Sequence, residues 1–302
     1  MFITDTYIKG REKLLNGILG IDLRNTLNPD GLRNSPVPSG FNLAAEIKKS
    51  INQFKAIALD DNGETVDYQQ LSLTPVYQSY RELTSQLHYF DYTTLPTLED
   101  RLAFWINLYN TLVINAVIQE NVKTSVAESR LGILSFFQKA AYSINGQRFS
   151  LTDMEHGVIR GNRGIPYFPG PHFTRSDSRR AAVIDPVDPR IHFALNCASN
   201  SCSPIGVYTP EGLNSQLDLV TRNFLHSDLK LYKNQDKISI SRIFNWCQVD
   251  FGGKMGIVKF IGKYTSDPEL KQWISEHRDT IRLSYHPYDW GLNRITKEFP
   301  GV

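Results

Sequence analysis

The sequence predicts an α+β fold in which one buried helix packs on a small, mainly antiparallel sheet, with further helices around it. Three observations predict it. In the first half of the chain, apolar residues recur at three- and four-residue spacing, the helical period. Strand-like runs appear only after Gly132, and each is short. Helices come first, then short strands with helices between them, and this order lacks the regular alternation of a doubly wound parallel sheet.

Residues 1–41 read as an arm: one short helix, then a stretch from 24 to 41 rich in Asn, Pro, Gly and Ser that breaks helix. A single domain is expected over 42–302, opening with AAEIKKSINQF and a second helical run from Asp67 to Phe90. LEDRLAFWINLYNTLVINAVIQE is apolar around most of its circumference, which places it at the centre. Asn145-Gly146 between two runs of β-formers is a hairpin signal. Thr152 with Glu155 three residues on has capping-box spacing and predicts a short helix carrying Glu155, His156 and Arg160. Residues 161–190 have no usable period and read as a long loop over the surface. IHFALN (191–196) reads as a strand. Thr209-Pro210 starts a helix with Leu213, Leu217, Val220 and Phe224 on one face, and KISISRIF is a further strand. Met255 to Tyr264 is helical, Asp267-Pro268 caps a last helix, and RLSYHPYDWGLNR closes the chain as an extended segment.

A 302-residue chain with net charge +2 is too balanced to argue for nucleic acid or an anionic membrane as its main partner. The N-terminus lacks the features of a signal peptide, and no run approaches the roughly 20 apolar residues of a spanning helix, so a cytoplasmic protein is expected. Three cysteines cannot build a disulfide framework, and thiols are the default expectation. The oligomeric state stays open.

The densest candidate chemistry is IHFALNCASNSCSPIGVYTP (191–210), with Cys197 and Cys202 in a loop of small polar residues. A nucleophilic cysteine needs partial exposure and a base in reach, and Cys197 has the setting for it; a buried structural cysteine is the competing reading. Cys202 and Ser201 adjoin it as contact residues, and Cys247, in an aromatic run, reads as core. His156 is the preferred base. Adjacent helical residues diverge, so Glu155 is expected to close the capping box, while Arg160, at i+4 from His156, shares its face and is suited to a substrate carboxylate or phosphate. Asn107 and Asn110 share one face of an apolar helix and need hydrogen-bond partners, either the loop at 197–203 or an oxyanion. His192 ranks below His156, because strand parity turns it away from Cys197. Zinc on His192, Cys197 and Cys202 is disfavoured by the loose spacing, so no metal or cofactor is expected. Arginines of the 161–190 loop pair with nearby aspartates or admit an anionic substrate. His172 is expected in solvent, and Asp250 is given no chemistry.

AFWINLYNTLVINA, YSINGQRFSLTDMEHGVIRGN, DPRIHFALNCASNSCSPIGVYTPEGLNSQL and RIFNWCQVDFG, in this order, resemble the DUF547 family, a domain of unknown function found in bacteria, plants and some animals. The resemblance covers roughly residues 85–295. It implies that Glu155-His156, Arg160, Asn107 and Asn110 occupy positions the family pattern keeps, whereas the Cys202 position is often Ser or Asp in plant-type members. The interaction role of coiled-coil plant members does not transfer, since this chain has no heptad run. The expected arrangement is similar to papain-like and transglutaminase-like thiol enzymes: Cys197 as nucleophile, His156 as base with Glu155, and acyl transfer or amide hydrolysis of a small-molecule or peptide substrate. One departure is that the central helix carries no Cys at its head. The alternative is a non-catalytic module that binds a peptide or anionic ligand near Arg160 and the 161–190 loop.

Overall fold

The structure, a computed structural model, describes residues 2–30, 41–128 and 132–295. Helix α1 (Phe2–Leu19) leads into an extended segment. Next come α2 (Leu43–Ala58), α3 (Tyr68–Ser72), α4 (Pro75–Thr84) and the central α5 (Leu98–Gln119). A short α6 (Ile133–Lys139) precedes the hairpin of β1 (Ala141–Ile144) and β2 (Gln147–Ser150). The C-terminal part runs α7 (Leu213–Asp228), β3 (Lys230–Tyr232), β4 (Lys237–Ser241), α8 (Arg242–Trp246), α9 (Gly253–Tyr264), α10 (Pro268–His277) and β5 (Arg282–His286). The fold is α+β, as the sequence predicts.

Each element has a local cause. Asn42 caps α2 by accepting from the Ala45 amide at 3.0 Å, and Asp67 caps α3 in the same way. Thr97 and Asp100 form a reciprocal capping box at the head of α5. This helix buries every residue from Leu102 to Val117. It is long and apolar enough to cross a membrane, yet 89% of its apolar window is buried inside the fold, as in a core helix. Its buried Asn and Thr side chains find partners within the protein: Asn115 donates to the Tyr142 hydroxyl at 2.9 Å and accepts from Tyr77 at 2.8 Å, tying α5 to the hairpin. The hairpin turn has Asn145 and Gly146 both at positive φ, as its two-residue loop requires.

Two apolar clusters divide the interior. The first surrounds α5 with α2, α4, the hairpin and Ile191. The second gathers Phe193, Phe224, Phe244, Phe251 and Phe260 under the three-stranded sheet β3-β4-β5. That sheet is mixed: β3 pairs antiparallel with β4, and β5 runs parallel to β4. Residues of the first described segment, 2–30, bond to the rest of the fold. Arg11 donates to the carbonyls of Pro169 and Pro171, and Asn28 bonds Thr84 and Ser143.

Three local expectations are corrected. IHFALN is not a strand; Pro189–Phe193 is a 3-10 helix capped by Asp188, and Ile191 and Phe193, two residues apart, go to different clusters, which suits a tight helix wedged between two cores and gives no edge for a ladder. The capping box after the hairpin is Ser150 with Asp153, not Thr152 with Glu155: the Asp153 amide donates to Ser150 Oγ while Asp153 accepts from the Ser150 amide. The helix that follows, Asp153–Ile159, is π-wound, with the Arg160 amide donating to the Glu155 carbonyl. Finally, RIF of KISISRIF is helical, in α8.

Candidate active site

A cavity of about 390 Å³ opens where the two clusters meet. The π-helix supplies Glu155 and His156 to its wall, the 3-10 helix supplies His192, the loop after it supplies Cys197 and Cys202, and the turn after α8 supplies Cys247. A π-helix is wider than an α-helix, and this one lets Glu155 face the cavity, 3.6 Å from His156 Nδ1, instead of closing a cap.

Behind the wall lies a charge network centred on Asp250, whose side chain is fully buried. Its Oδ2 accepts from Arg160 Nε at 2.6 Å and lies 2.9 Å from His192 Nε2, and its Oδ1 accepts from Arg163 at 2.9 Å. Burial opposes the Asp250 charge, but the hydrogen bonds from His192 and Arg160 overcome it and hold the carboxyl far below its ordinary range. For His192, burial opposes the imidazolium and is outweighed by the Cys247 sulfur and Asp250, which carry its pKa up to about 9. His192 is therefore charged at neutral pH. The Cys247 Sγ, a His192 ring nitrogen and an Asp250 oxygen all lie within 4.8 Å of one another.

Arg160 is 1% exposed. Its Nη1 donates to the Gly164 carbonyl and meets His156 Nδ1 at 2.9 Å. A guanidinium cannot accept, so His156 Nδ1 is the acceptor and its proton sits on Nε2. Burial and the Arg160 charge hold the His156 pKa well below its usual value, so the ring is a neutral N–H donor. Glu155 is pushed the other way: burial raises its pKa, and Tyr109 donates to it at 3.2 Å.

The sequence-predicted residues sort as follows. His156, Glu155, His192, Cys197 and Cys202 line one cavity. Cys197 and Cys202 are joined as a disulfide, contrary to the thiol expectation. The loop doubles back to bring them together, with Ala198 at φ 61, the Cys202 amide on the Ser199 carbonyl and Asn196 Nδ2 on the Ser203 carbonyl. In this form Cys197 offers no thiolate. Asn107 and Asn110 do not reach the cavity. Each clamps backbone beside the cysteine loop: Asn107 exchanges two hydrogen bonds with the Tyr208 main chain, and Asn110 donates to the Ala194 carbonyl and accepts from the Asn196 amide. Arg160 positions Asp250 and His156 from behind the wall, with Nε and Nη1 committed to the protein. Ser201 lies at the surface against Asp289. His172 is not solvated; its Nε2 is 2.8 Å from Asp153 in a cluster with Arg179. The 161–190 segment contributes Ile165, Pro166, Tyr167 and Phe168 to the cavity, while Arg179 pairs with Asp177 and Arg190 with Asp188.

Sequence reasoning missed Cys247 and Asp250. The signal available was their C-x-x-D spacing in RIFNWCQVDFG: the Asp250 amide bonds the Cys247 carbonyl at 2.8 Å, a turn that puts both side chains on one side. His192, Cys247 and Asp250 could together ligate a metal, but a dication there would sit beside Arg160 and Arg163, which occupy the same carboxylate.

Residues 94–225 match the family model of DUF547, described as a protein of unknown function, in agreement with the resemblance read from the motifs. His192 lies inside the matched region, and Cys247 and Asp250 lie beyond it. No curated protein and no solved structure matches the chain.

Proposed function

Residues 94–225 match the DUF547 model, a family of unknown function, and from that premise we propose a thiol-dependent acyl-transfer or hydrolytic enzyme whose nucleophile is Cys247. The observation that carries the reading is the meeting of Cys247, His192 and Asp250 at one wall of the cavity. Asp250 orients His192, His192 faces the sulfur, and the sulfur faces the space a substrate would fill, which is the nucleophile, base and orienter logic of covalent catalysis.

The steps follow from the charges. The Cys247 thiolate attacks the acyl carbonyl, and the carbonyl electron pair moves to oxygen. Collapse expels the leaving group, which takes its proton from the His192 imidazolium and leaves an S-acyl enzyme. Acylation removes the sulfur's negative charge, one of the two influences that raise the His192 pKa, so the neutral ring then takes a proton from water or an acceptor that attacks the thioester. The neutral His156 N–H is a donor on the same wall for the transient oxyanion.

The test is Cys247→Ala against Cys197→Ser/Cys202→Ser, with hydrolysis of p-nitrophenyl and thioester substrates as readout and intact-protein mass spectrometry to find the acyl group. Loss of turnover and of the adduct in the first variant, with both kept in the second, is the expected result. Turnover that survives in Cys247→Ala would overturn the assignment.

A further inference from the structure

We infer that the group transferred is an uncharged, medium-length aliphatic acyl chain, a substrate class that rests on the acyl-transfer reading above. Three features of the cavity lead to it. The first is size: at about 390 Å³ the cavity lies toward the lower end of the roughly 300–1,000 Å³ of small-molecule sites, room for the body of one medium-length chain. An acetyl group would leave it largely empty.

The second is the wall. Away from the His192–Cys247 end it is built from Ile133, Leu134 and Phe137 on one side of α6, from Ile165 and Phe168 of the 161–190 segment, and from the indoles of Trp246 and Trp290, stacked with centroids 5.6 Å apart. The third is charge. Among the described residues no Lys or Arg lines the cavity, and Glu155, its one carboxyl, has its pKa raised by burial. The one cation at the wall, the His192 imidazolium, is already paired with Asp250, so a free carboxylate or phosphate would enter beside a carboxyl group with no unpaired counter-ion, a large desolvation cost with little return. The carbonyl of an ester or thioester needs only a neutral donor, which the His156 N–H supplies at the polar end.

Arg160, Arg163 and Arg179, three of the arginines that suggested an anionic ligand, are bound to aspartates and main-chain carbonyls.

Acyl N-acetylcysteamine thioesters of butyryl, octanoyl, decanoyl and palmitoyl chains, titrated into Cys247→Ser and followed by tryptophan fluorescence, test the inference without chemistry. Each methylene buried is worth about 0.8 kcal/mol, so affinity should rise about fourfold per methylene from butyryl and level off or fall between decanoyl and palmitoyl. Leu134→Trp, which fills part of the wall from a half-buried position on α6, should lower decanoyl affinity at least tenfold and leave butyryl little changed. Absence of binding, or affinity independent of chain length, overturns the substrate class. The chain-length gradient without any acyl adduct on wild-type Cys247 leaves the class standing and overturns the thiol chemistry. An adduct formed equally with every chain does the reverse.

Discussion

Replacing His192 by Gln should change how stability depends on pH more than it changes stability at any one pH. Gln keeps an amide donor for Asp250 and removes the titration. In the folded protein the His192 pKa is raised to about 9, against about 6.5 in an unfolded chain. A raised folded pKa means that the native state holds its proton more tightly. The associated stability is fully present below about pH 6.5 and is lost as pH rises through about 9. At 1.36 kcal/mol per unit the shift corresponds to about 3 kcal/mol. His192 is only 7% exposed, so solvent screening takes little from that figure. Urea unfolding of both proteins at several pH values, with m checked for constancy, gives the measurement. The advantage of wild type over His192→Gln should shrink by about 3 kcal/mol between about pH 6 and pH 10. Stability curves that stay parallel across that range would refute the charged imidazole and, with it, the proton ready for the leaving group.

Asp250→Asn removes the one negative charge shared by Arg160, Arg163 and His192 and should cost about 3–5 kcal/mol in denaturant unfolding, the usual penalty for stripping a buried pair of one partner; a cost below about 1 kcal/mol would show the network relaxing into solvent. Asn110→Ala leaves the Ala194 carbonyl and Asn196 amide unpaired in the core and should cost about 3 kcal/mol, read as a lower urea midpoint at unchanged m. Reducing the Cys197–Cys202 bond, which spans a sequence separation of 5, should destabilise wild type by about 2 kcal/mol and leave Cys197→Ser/Cys202→Ser unaffected by reductant. Gly157→Ala drives a methyl into the Phe173 ring against the π-helix and should cost about 1–3 kcal/mol.

Elements specified by local chemistry could be read from the sequence: the capped α2 and α10, the Asn-Gly hairpin, and the all-round apolar α5 whose position at the centre follows from its composition. Elements decided by tertiary contacts could not. IHFALN has strand composition, but its residues are drawn to two cores at once, and a 3-10 helix meets that demand where a strand cannot. The π-winding of Asp153–Ile159 has no sequence period of its own, so Glu155 read as a cap and not as a cavity wall. The same limit applied to the site. His156, His192 and the cysteine loop were legible as polar groups in suggestive places. The partner of His192 was not, because Asp250 and Cys247 stand some 55 residues downstream in a run whose aromatic neighbours make it look like plain core.

Asn107 and Asn110 hold the segment 194–208 entirely by its main chain, touching a carbonyl or amide at either end and no side chain between. The two ends of the segment therefore keep their course whatever side chains lie between them, while the turn at 199–203 keeps its own only with the Cys197–Cys202 bond and the contacts of Asn200 and Ser201 with Asp289. For an engineer the ends are fixed anchor points and the turn is the adjustable part, open to exchange wherever those contacts are kept.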